Sequence, residues 1–403
     1  MFNAWVITRS TAVNRQMDVS DPVLYEAHSF HPIFRELRAL DPVYYCEQSQ
    51  YGPYWAVTRY RDILAVDMNP RVFSSAAGGI SIFDMPVHQD RSFINLDPPE
   101  HRAHRSTVTP VFSTENLAQM QLEVQERVGE ILDRVPLNEP FDWVTEVANE
   151  LPLQMLSTLF GIPEKDRYHM LYWTNVQVAL MGGQDPGSKE RDKHPSFTAY
   201  FLDMLHRRAT EKERKPDLVS QLIHGEQEIS DEMALNHLRL LMVGANDTTR
   251  TSIAGGLEAV IEQGLYADLR TNRALVPTAV NEMIRFVTPV VHQRRTATRD
   301  FELGGKAIRQ GDKVVMFYVS GNRDEAAFTD PDRLVLDRTE PRILSFGSGI
   351  HHCIGFRIAR MQLQYMWEGM LDRFSGFELV DRPVRTRSNF VQGFQSMPVI
   401  ARA

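Results

Sequence analysis

The chain has 403 residues, of which 43% are apolar and 9% aromatic, and carries a formal net charge of −8 at pH 7. That much apolar side chain supports a large core and excludes a disordered or low-complexity protein, while the acidic balance excludes a general attraction to nucleic acid or to an anionic membrane. Two cysteines, Cys46 and Cys353, exclude the disulfide framework of a small secreted domain and point to a reducing cytoplasm.

Met1 to Ser10 lack the long apolar core of a signal peptide or membrane anchor, and residues 1–20 read as a polar tail. No linker, repeat or low-complexity run divides the rest, so 21–403 is expected to be a single domain. Pro22 to Leu40 reads as one helix, stopped near Asp41-Pro42. The period then changes: Val43-Tyr44-Tyr45 and Tyr54-Trp55-Ala56-Val57, on either side of Gly52-Pro53, predict a hairpin. Arg61 to Asn69 is a short helix. The irregular segment Ser74 to Asn95 follows, with Gly78-Gly79 and the apolar Ile80, Ile82, Phe83 and Met85. A loop this apolar either packs on the core or lies as a lid over an apolar cavity.

Asp97-Pro98-Pro99 is a helix start. On that helix His101 and Arg105 share a face and can grip one anion, the alternative being a solvated basic face that also carries Arg102 and His104. Helical patterns dominate residues 115–230, among them Glu123 to Val135, Trp143 to Phe160 and Pro195 to Thr210, and read as scaffold. Ser230-Asp231-Glu232 then caps a long helix over 231–263. Its middle, Leu240 to Thr249, sets Gly244, Asn246, Asp247, Thr248 and Thr249 inside an apolar element. Gly244 would open space there, and Thr248 can bond back to the carbonyl of residue 244; a polar face turned outward is the alternative. Glu282 and Arg285 place opposite charges at i and i+3 on a helix. Beyond Pro289-Val290-Val291, Arg294 to Asp300 predicts a strand and Phe301 to Val315 a hairpin turning at Gly304-Gly305. Asn389 to Pro398 predicts a last strand pair that turns around Phe394-Gln395-Ser396.

The stretch Phe346-Gly347-Ser348-Gly349-Ile350-His351-His352-Cys353-Ile354-Gly355 leads into a helical pattern that ends at Arg373. Its glycines permit positive φ and a close backbone approach to a flat ligand. At a helix N-terminus Cys353 is expected to be a thiolate at neutral pH, able to ligate a metal. A buried apolar filler is the ordinary role of a lone cysteine. Zinc, with His351, His352 and Cys353 as ligands, lacks a fourth ligand in paired spacing.

The pattern Phe-Gly-x-Gly-x-His-x-Cys-x-Gly over 346–355 resembles the haem-ligand loop of the cytochrome P-450 monooxygenases. The other motifs follow in that family's order over roughly residues 40–400. The resemblance implies a mainly α protein with a small β region, the P-450 prism fold, with one haem b between the long distal helix and the cysteine loop. Matched residue by residue, it implies Cys353 as iron ligand with Phe346 beside the sulfur and Gly355 in the same cofactor loop, and His101, Arg105, Arg295 and His351 toward the haem propionates. Asp247 and Thr248 match the acid and alcohol of the oxygen-activation motif, although Ala245 stands where glycine is usual; Glu282 and Arg285 match a structural clamp.

The implied activity inserts one atom of O2 into a C–H bond of an apolar substrate. Electrons would come from NAD(P)H through a ferredoxin reductase and an iron–sulfur ferredoxin docked near Arg102, His104, Arg357 and Arg360. Leu240, Val243, Gly244, Val291 and Phe394 are expected as substrate walls, with Ile82 and Phe83 at the entrance. Three stretches, 52–60, 246–250 and 388–393, resemble the bacterial subfamily that hydroxylates the terminal carbon of alkanes and fatty acids. A terpene or steroid hydroxylase is the alternative among enzymes, and a haem-thiolate sensor the alternative outside them. Asp247-Thr248 argues against a sensor, which needs no proton relay.

Overall fold

The computed structural model describes residues 17–84, 91–181, 194–225, 228–339 and 342–403. Residues 1–16 of the expected tail, and Met85 in the apolar loop, lie outside the described residues. The helices are α1 (Pro22–Glu26), α2 (His31–Leu40), α3 (Tyr60–Asp67), α4 (Glu100–Val108), α5 (Thr114–Leu132), α6 (Glu150–Phe160), α7 (Arg167–Met181), α8 (Phe197–Thr210), α9 (Leu218–His224), α10 (Asp231–Glu262), α11 (Tyr266–Thr271), α12 (Val276–Val287), α13 (Tyr318–Gly321) and α14 (Phe356–Arg373).

Helix α10 organises the molecule. Ser230 caps it, its hydroxyl accepting from the Met233 N–H at 3.2 Å, and Asp231 and Glu232 sit at the positive end of its dipole. With 32 residues at 1.5 Å each it is about 48 Å long. Its buried Leu238, Met242, Ile253 and Leu257 share one core cluster with Met283 and Ile284 of α12 and Leu363 and Trp367 of α14.

The β region is a sheet of β1 (Val43–Cys46), β2 (Tyr54–Val57), β3 (Phe73–Ser74), β5 (His292–Ala297) and β8 (Lys313–Phe317), in the order β1-β2-β8-β5-β3. Side chains alternate across β8: Val315 and Phe317 join a cluster with Phe30, Phe34 and Tyr54, while Val314 and Met316 join another with Ile63 and Val66. The remaining strands are β4 (Pro140–Asp142), β6 (Phe301–Leu303), β7 (Lys306–Ile308), β9 (Gly376–Leu379), β10 (Val384–Arg385), β11 (Phe394–Ser396) and β12 (Pro398–Arg402).

The expected hairpin of β1 and β2 is present, antiparallel with Val43 opposite Val57. The single helix expected over 22–40 is two, because His28 takes φ 51° between α1 and α2 and breaks the helical path. The strand expected over 294–300 starts at His292 and stops at Ala297. Phe394 to Ser396 is strand β11, paired with β10, and not a turn. Ahead of α6, Val144–Ala148 forms a π-helical turn within the stretch expected to be regular helix. Among the described residues no helix is long and apolar enough to cross a membrane.

Candidate active site

Midway along α10 one face is open. Gly244 is exposed and a Cβ built on it would meet nothing within 4 Å, while Leu240, Val243 and Thr248 on the same side are partly exposed. The rest of the helix from Thr249 to Val260 is buried. The Thr248 hydroxyl donates to the Gly244 carbonyl at 2.7 Å, diverting an acceptor that the helix would otherwise use. Leu240 packs on a small apolar cluster of Ile80, Ile94, Phe390 and Val391. Sequence reasoning missed these last four as pocket neighbours, since only contact in three dimensions brings 80, 94 and 390 together.

Asp247 turns away from that face and pairs with Arg250 one turn on. Arg250 also reaches the side-chain oxygens of Asn149 at 3.3 Å and Asn175 at 3.4 Å. Burial pushes the Asp247 carboxyl up and Arg250 pulls it back; its Oδ2 and both polar atoms of buried Asn246 have no partner. Such a set is a place where a proton can be held and exchanged.

The cysteine loop lies between α13 and α14. Gly347 and Gly349 take φ 64° and 62°, and a Cβ on Gly349 would lie 2.7 Å from the Asp67 carbonyl, so a side chain is excluded there on both counts. Helix α14 begins only at Phe356, three residues after Cys353. The Cys353 N–H donates to Phe346 O at 2.8 Å, and the Gly355 N–H points at the thiol. Burial raises the Cys353 thiol against the pull of that N–H and of Arg105. Burial outweighs both pulls, against the expectation from the helix terminus, and a bound metal ion would favour the thiolate. A Cβ on Gly355 would touch only Phe112, at 3.9 Å. The Phe346 ring lies under the Arg360 guanidinium at 5.3 Å, and the His352 ring packs on Phe356.

Beside the loop, the His101 and His351 rings meet edge to face at 4.5 Å. Arg105 donates to the carbonyls of His352 at 2.6 Å and Ile350 at 3.4 Å. His351 Nε2 bonds the Ser75 hydroxyl at 3.0 Å, which leaves His351 Nδ1 and His101 Nε2 buried without partners. Burial first, then Arg105, lowers His101 to about 4; burial and then Arg295 lower His351 to about 2. Both rings are neutral at pH 7 and offer hydrogen bonds, so the positive charge here belongs to Arg105 and Arg295. Arg295 is buried and paired with Asp67 at 2.8 Å. Asp67, a residue the sequence did not flag, also accepts from the Tyr318 hydroxyl at 3.0 Å and the Ser348 N–H at 2.7 Å.

Behind α10 the Glu282–Arg285 pair is sealed from solvent at 2.7 Å. Arg285 gives its other N–H groups to the carbonyls of Asn322, Pro331 and Arg333, and Glu282 accepts from Arg338 and the Val335 N–H.

The other expected site residues are placed as follows. Ile82 and Val291 are buried in the cluster around Phe30 and Phe317, and the Val291 N–H donates to the Phe390 carbonyl at 2.9 Å. Phe83 is half-buried, and its carbonyl accepts from Arg294. The Phe394 ring lies against Gly255, two turns beyond Thr248, under Arg385 at 4.6 Å. On the cysteine side Arg102 and Arg357 are exposed. His104 is instead turned inward, its ring 5.4 Å from that of His237, and burial holds it neutral; it adds no charge to that surface.

The family model described as cytochrome P-450 matches residues 257–395, the part holding the Glu282–Arg285 clamp and the cysteine loop. Linalool 8-monooxygenase of Pseudomonas putida is 36% identical over 95% of this chain and 98% of its own. The chain belongs to the cytochrome P-450 family. This P-450 is also 32% identical to the methyl-branched lipid omega-hydroxylase of Mycobacterium tuberculosis, over 86% of the chain and 83% of the relative. Its fold matches that of cytochrome P-450-153 from Novosphingobium aromaticivorans with a TM-score of 0.85 and 37% identity, over 96% of this chain and 99% of that one. The P-450 prism fold and monooxygenase activity follow, and with them the use of haem and O2 and of electrons from NAD(P)H passed through redox partners. The residues present fit a haem: a cysteine in a glycine loop, an open face at Gly244, and unpartnered ring nitrogens on His101 and His351 beside Arg105.

Proposed function

We propose that this P-450 hydroxylates the terminal carbon of medium-chain alkanes or fatty acids, with electrons from an iron–sulfur ferredoxin and its reductase in the cytoplasm, and that 21–403 act as one haem-thiolate domain. The observation that carries the substrate class is the apolar wall of Ile80, Ile94, Leu240, Phe390 and Val391 next to the open face at Gly244. The omega-hydroxylase relative and the P-450-153 neighbour support the terminal position.

In this reading Cys353 would ligate the iron, and His101, Arg105, His351 and Arg295 would hold the propionates. Bound haem supplies reductive activation of O2 and transfer of one oxygen atom to a C–H bond. Leu240, Val243 and the apolar cluster hold the chain end-on and exclude water. Thr248 holds a proton at Oγ1 above the gap at Gly244; Asp247 resupplies it from solvent as its pairing with Arg250 loosens. Reducing equivalents then end in alcohol and water instead of hydrogen peroxide. Exposed Arg102 and Arg357, with Arg360 behind them, offer a local positive surface to an acidic ferredoxin.

Turnover of octane or a medium-chain fatty acid with ferredoxin, reductase and NADH is expected to give almost only the terminal alcohol, at a rate that falls as salt rises. A mixture of internal alcohols would contradict the assignment. In Thr248→Ala, nicotinamide consumption should continue while alcohol per electron falls roughly tenfold or more and peroxide rises. Unchanged alcohol per electron removes the relay role from Thr248. A terpene alcohol is the second reading, favoured by the linalool relative; a full spin-state shift with a terpene and none with an alkane would select it.

A further inference from the structure

We propose that His292 is a positioning residue for this P-450, one imidazole that ties residues 80–83 to residues 389–391 and so fixes the spacing of the apolar wall they form beside Gly244. Its effect on products rests on the terminal-hydroxylation reading; the tie itself rests on geometry alone. His292 opens β5 and is buried. Its Nδ1–H donates to the Asn389 carbonyl at 2.8 Å, and its Nε2 accepts from the Ile82 N–H at 3.2 Å. A neutral imidazole has one donor and one acceptor, so this arrangement fixes the tautomer and leaves neither nitrogen unmet. Burial keeps the ring neutral, lowering it to about 4 against the pull of the Asn389 carbonyl. The ring is edge-on to Phe390 at 5.5 Å and lies 5.7 Å from Phe317, so packing as well as hydrogen bonding holds its plane.

Both partners are backbone atoms outside helix and strand. The backbone of the β5 region also holds each stretch separately: the Arg294 N–H donates to the Ile80 carbonyl at 2.7 Å, and the Val291 N–H to the Phe390 carbonyl at 2.9 Å. His292 bonds both stretches at once, across 210 residues on one side and 97 on the other.

What the two stretches carry gives the tie its consequence. Ile80 on one, and Phe390 and Val391 on the other, share the small apolar cluster on which Leu240 packs. A methyl C–H bond is stronger than that of the methylene beside it, so attack at a chain end has to be imposed by position. Walls that keep their separation impose it; walls free to part admit the chain sideways and expose its methylenes. His292 acts through Ile80, Phe390 and Val391, not by contact with the reacting atoms.

The test compares the haem-loaded parent with two variants. His292→Phe keeps a ring in the space and gives up both bonds; His292→Asn, with its shorter amide, keeps a donor near Asn389 and gives up Ile82. Hydrogen exchange is read at the Ile82 amide, and product distribution is read with octane under ferredoxin-supported turnover. In both variants exchange at Ile82 should quicken at least about tenfold, because a buried donor has lost its acceptor. Internal octanols should rise about tenfold as a share of product and KM for octane severalfold, with kcat within about twofold of the parent. The ferrous carbon monoxide spectrum reports whether each variant keeps its haem pocket; where His292→Phe loses it, His292→Asn is read alone. A folded variant that loses thermal stability but keeps the parent's product ratio marks His292 as a core residue only and overturns the proposal. If the parent itself gives internal alcohols or none, the terminal reading fails and exchange decides the tie: quickened exchange at Ile82 in the folded variants upholds it, and unchanged exchange overturns it.

Discussion

Cys353→Ser will lose the red-shifted Soret band of the ferrous carbon monoxide complex, and product formation will fall to background. A serine hydroxyl cannot replace a sulfur that donates electron density to iron, and in this protein nothing nearby can substitute. The other cysteine, Cys46, is buried in β1, where burial holds its thiol up at about 11, beside Asp18. His352, the adjacent candidate, packs its ring on Phe356 and uses its carbonyl to accept from Arg105. The variant should still fold, because the loop is held by the glycines and by the Ser348 N–H to Asp67, neither of which involves the thiol. A red-shifted Soret band surviving in Cys353→Ser would remove Cys353 as ligand.

Arg285→Ala will destabilise the protein by about 3–5 kcal/mol, the range for removing one partner of a buried pair. Glu282 would be left as a buried charge with Arg338 as its remaining cation, and three carbonyls, of Asn322, Pro331 and Arg333, would lose their donor together. Those carbonyls belong to the meander that leads into the cysteine loop, so haem content should fall along with stability. Arg285→Lys should rescue little, since a point charge cannot span the fork of contacts that a guanidinium makes. Denaturant titration of the haem-loaded protein checks this; a loss below 1 kcal/mol in Arg285→Ala would show that the clamp is dispensable.

What could be read from the sequence was whatever is encoded locally. The Thr248 bond to Gly244 and the Glu282–Arg285 pair each depend on residues within four positions of one another, and both contacts are present; the positive φ of Gly347 and Gly349 is likewise a property of the residue itself. Polar and glycine residues in the middle of an apolar helix were a visible anomaly. Partners supplied from a distance were not legible: Asp67 reaches Arg295 across 228 residues, Asn149 reaches Arg250 across 101 and Asn175 reaches it across 75. Which apolar residues line a cavity was illegible for a related reason. Ile82 and Val291 are apolar whether they line a cavity or fill a core, and only their neighbours, Phe30 and Phe317 among them, decide which. The burial that raises the Cys353 thiol was not legible either, because a helix terminus can be seen in a sequence and desolvation cannot.

The carboxylate beneath the cysteine loop bears on how a haem would be held. Asp67 gives Arg295 a buried counter-ion and pins the Ser348 N–H, so arginine and loop are tied together through one side chain. The tie is also a competition: a donor committed to Asp67 is withheld from a propionate, and retention of the group would lean more heavily on Arg105 and His101.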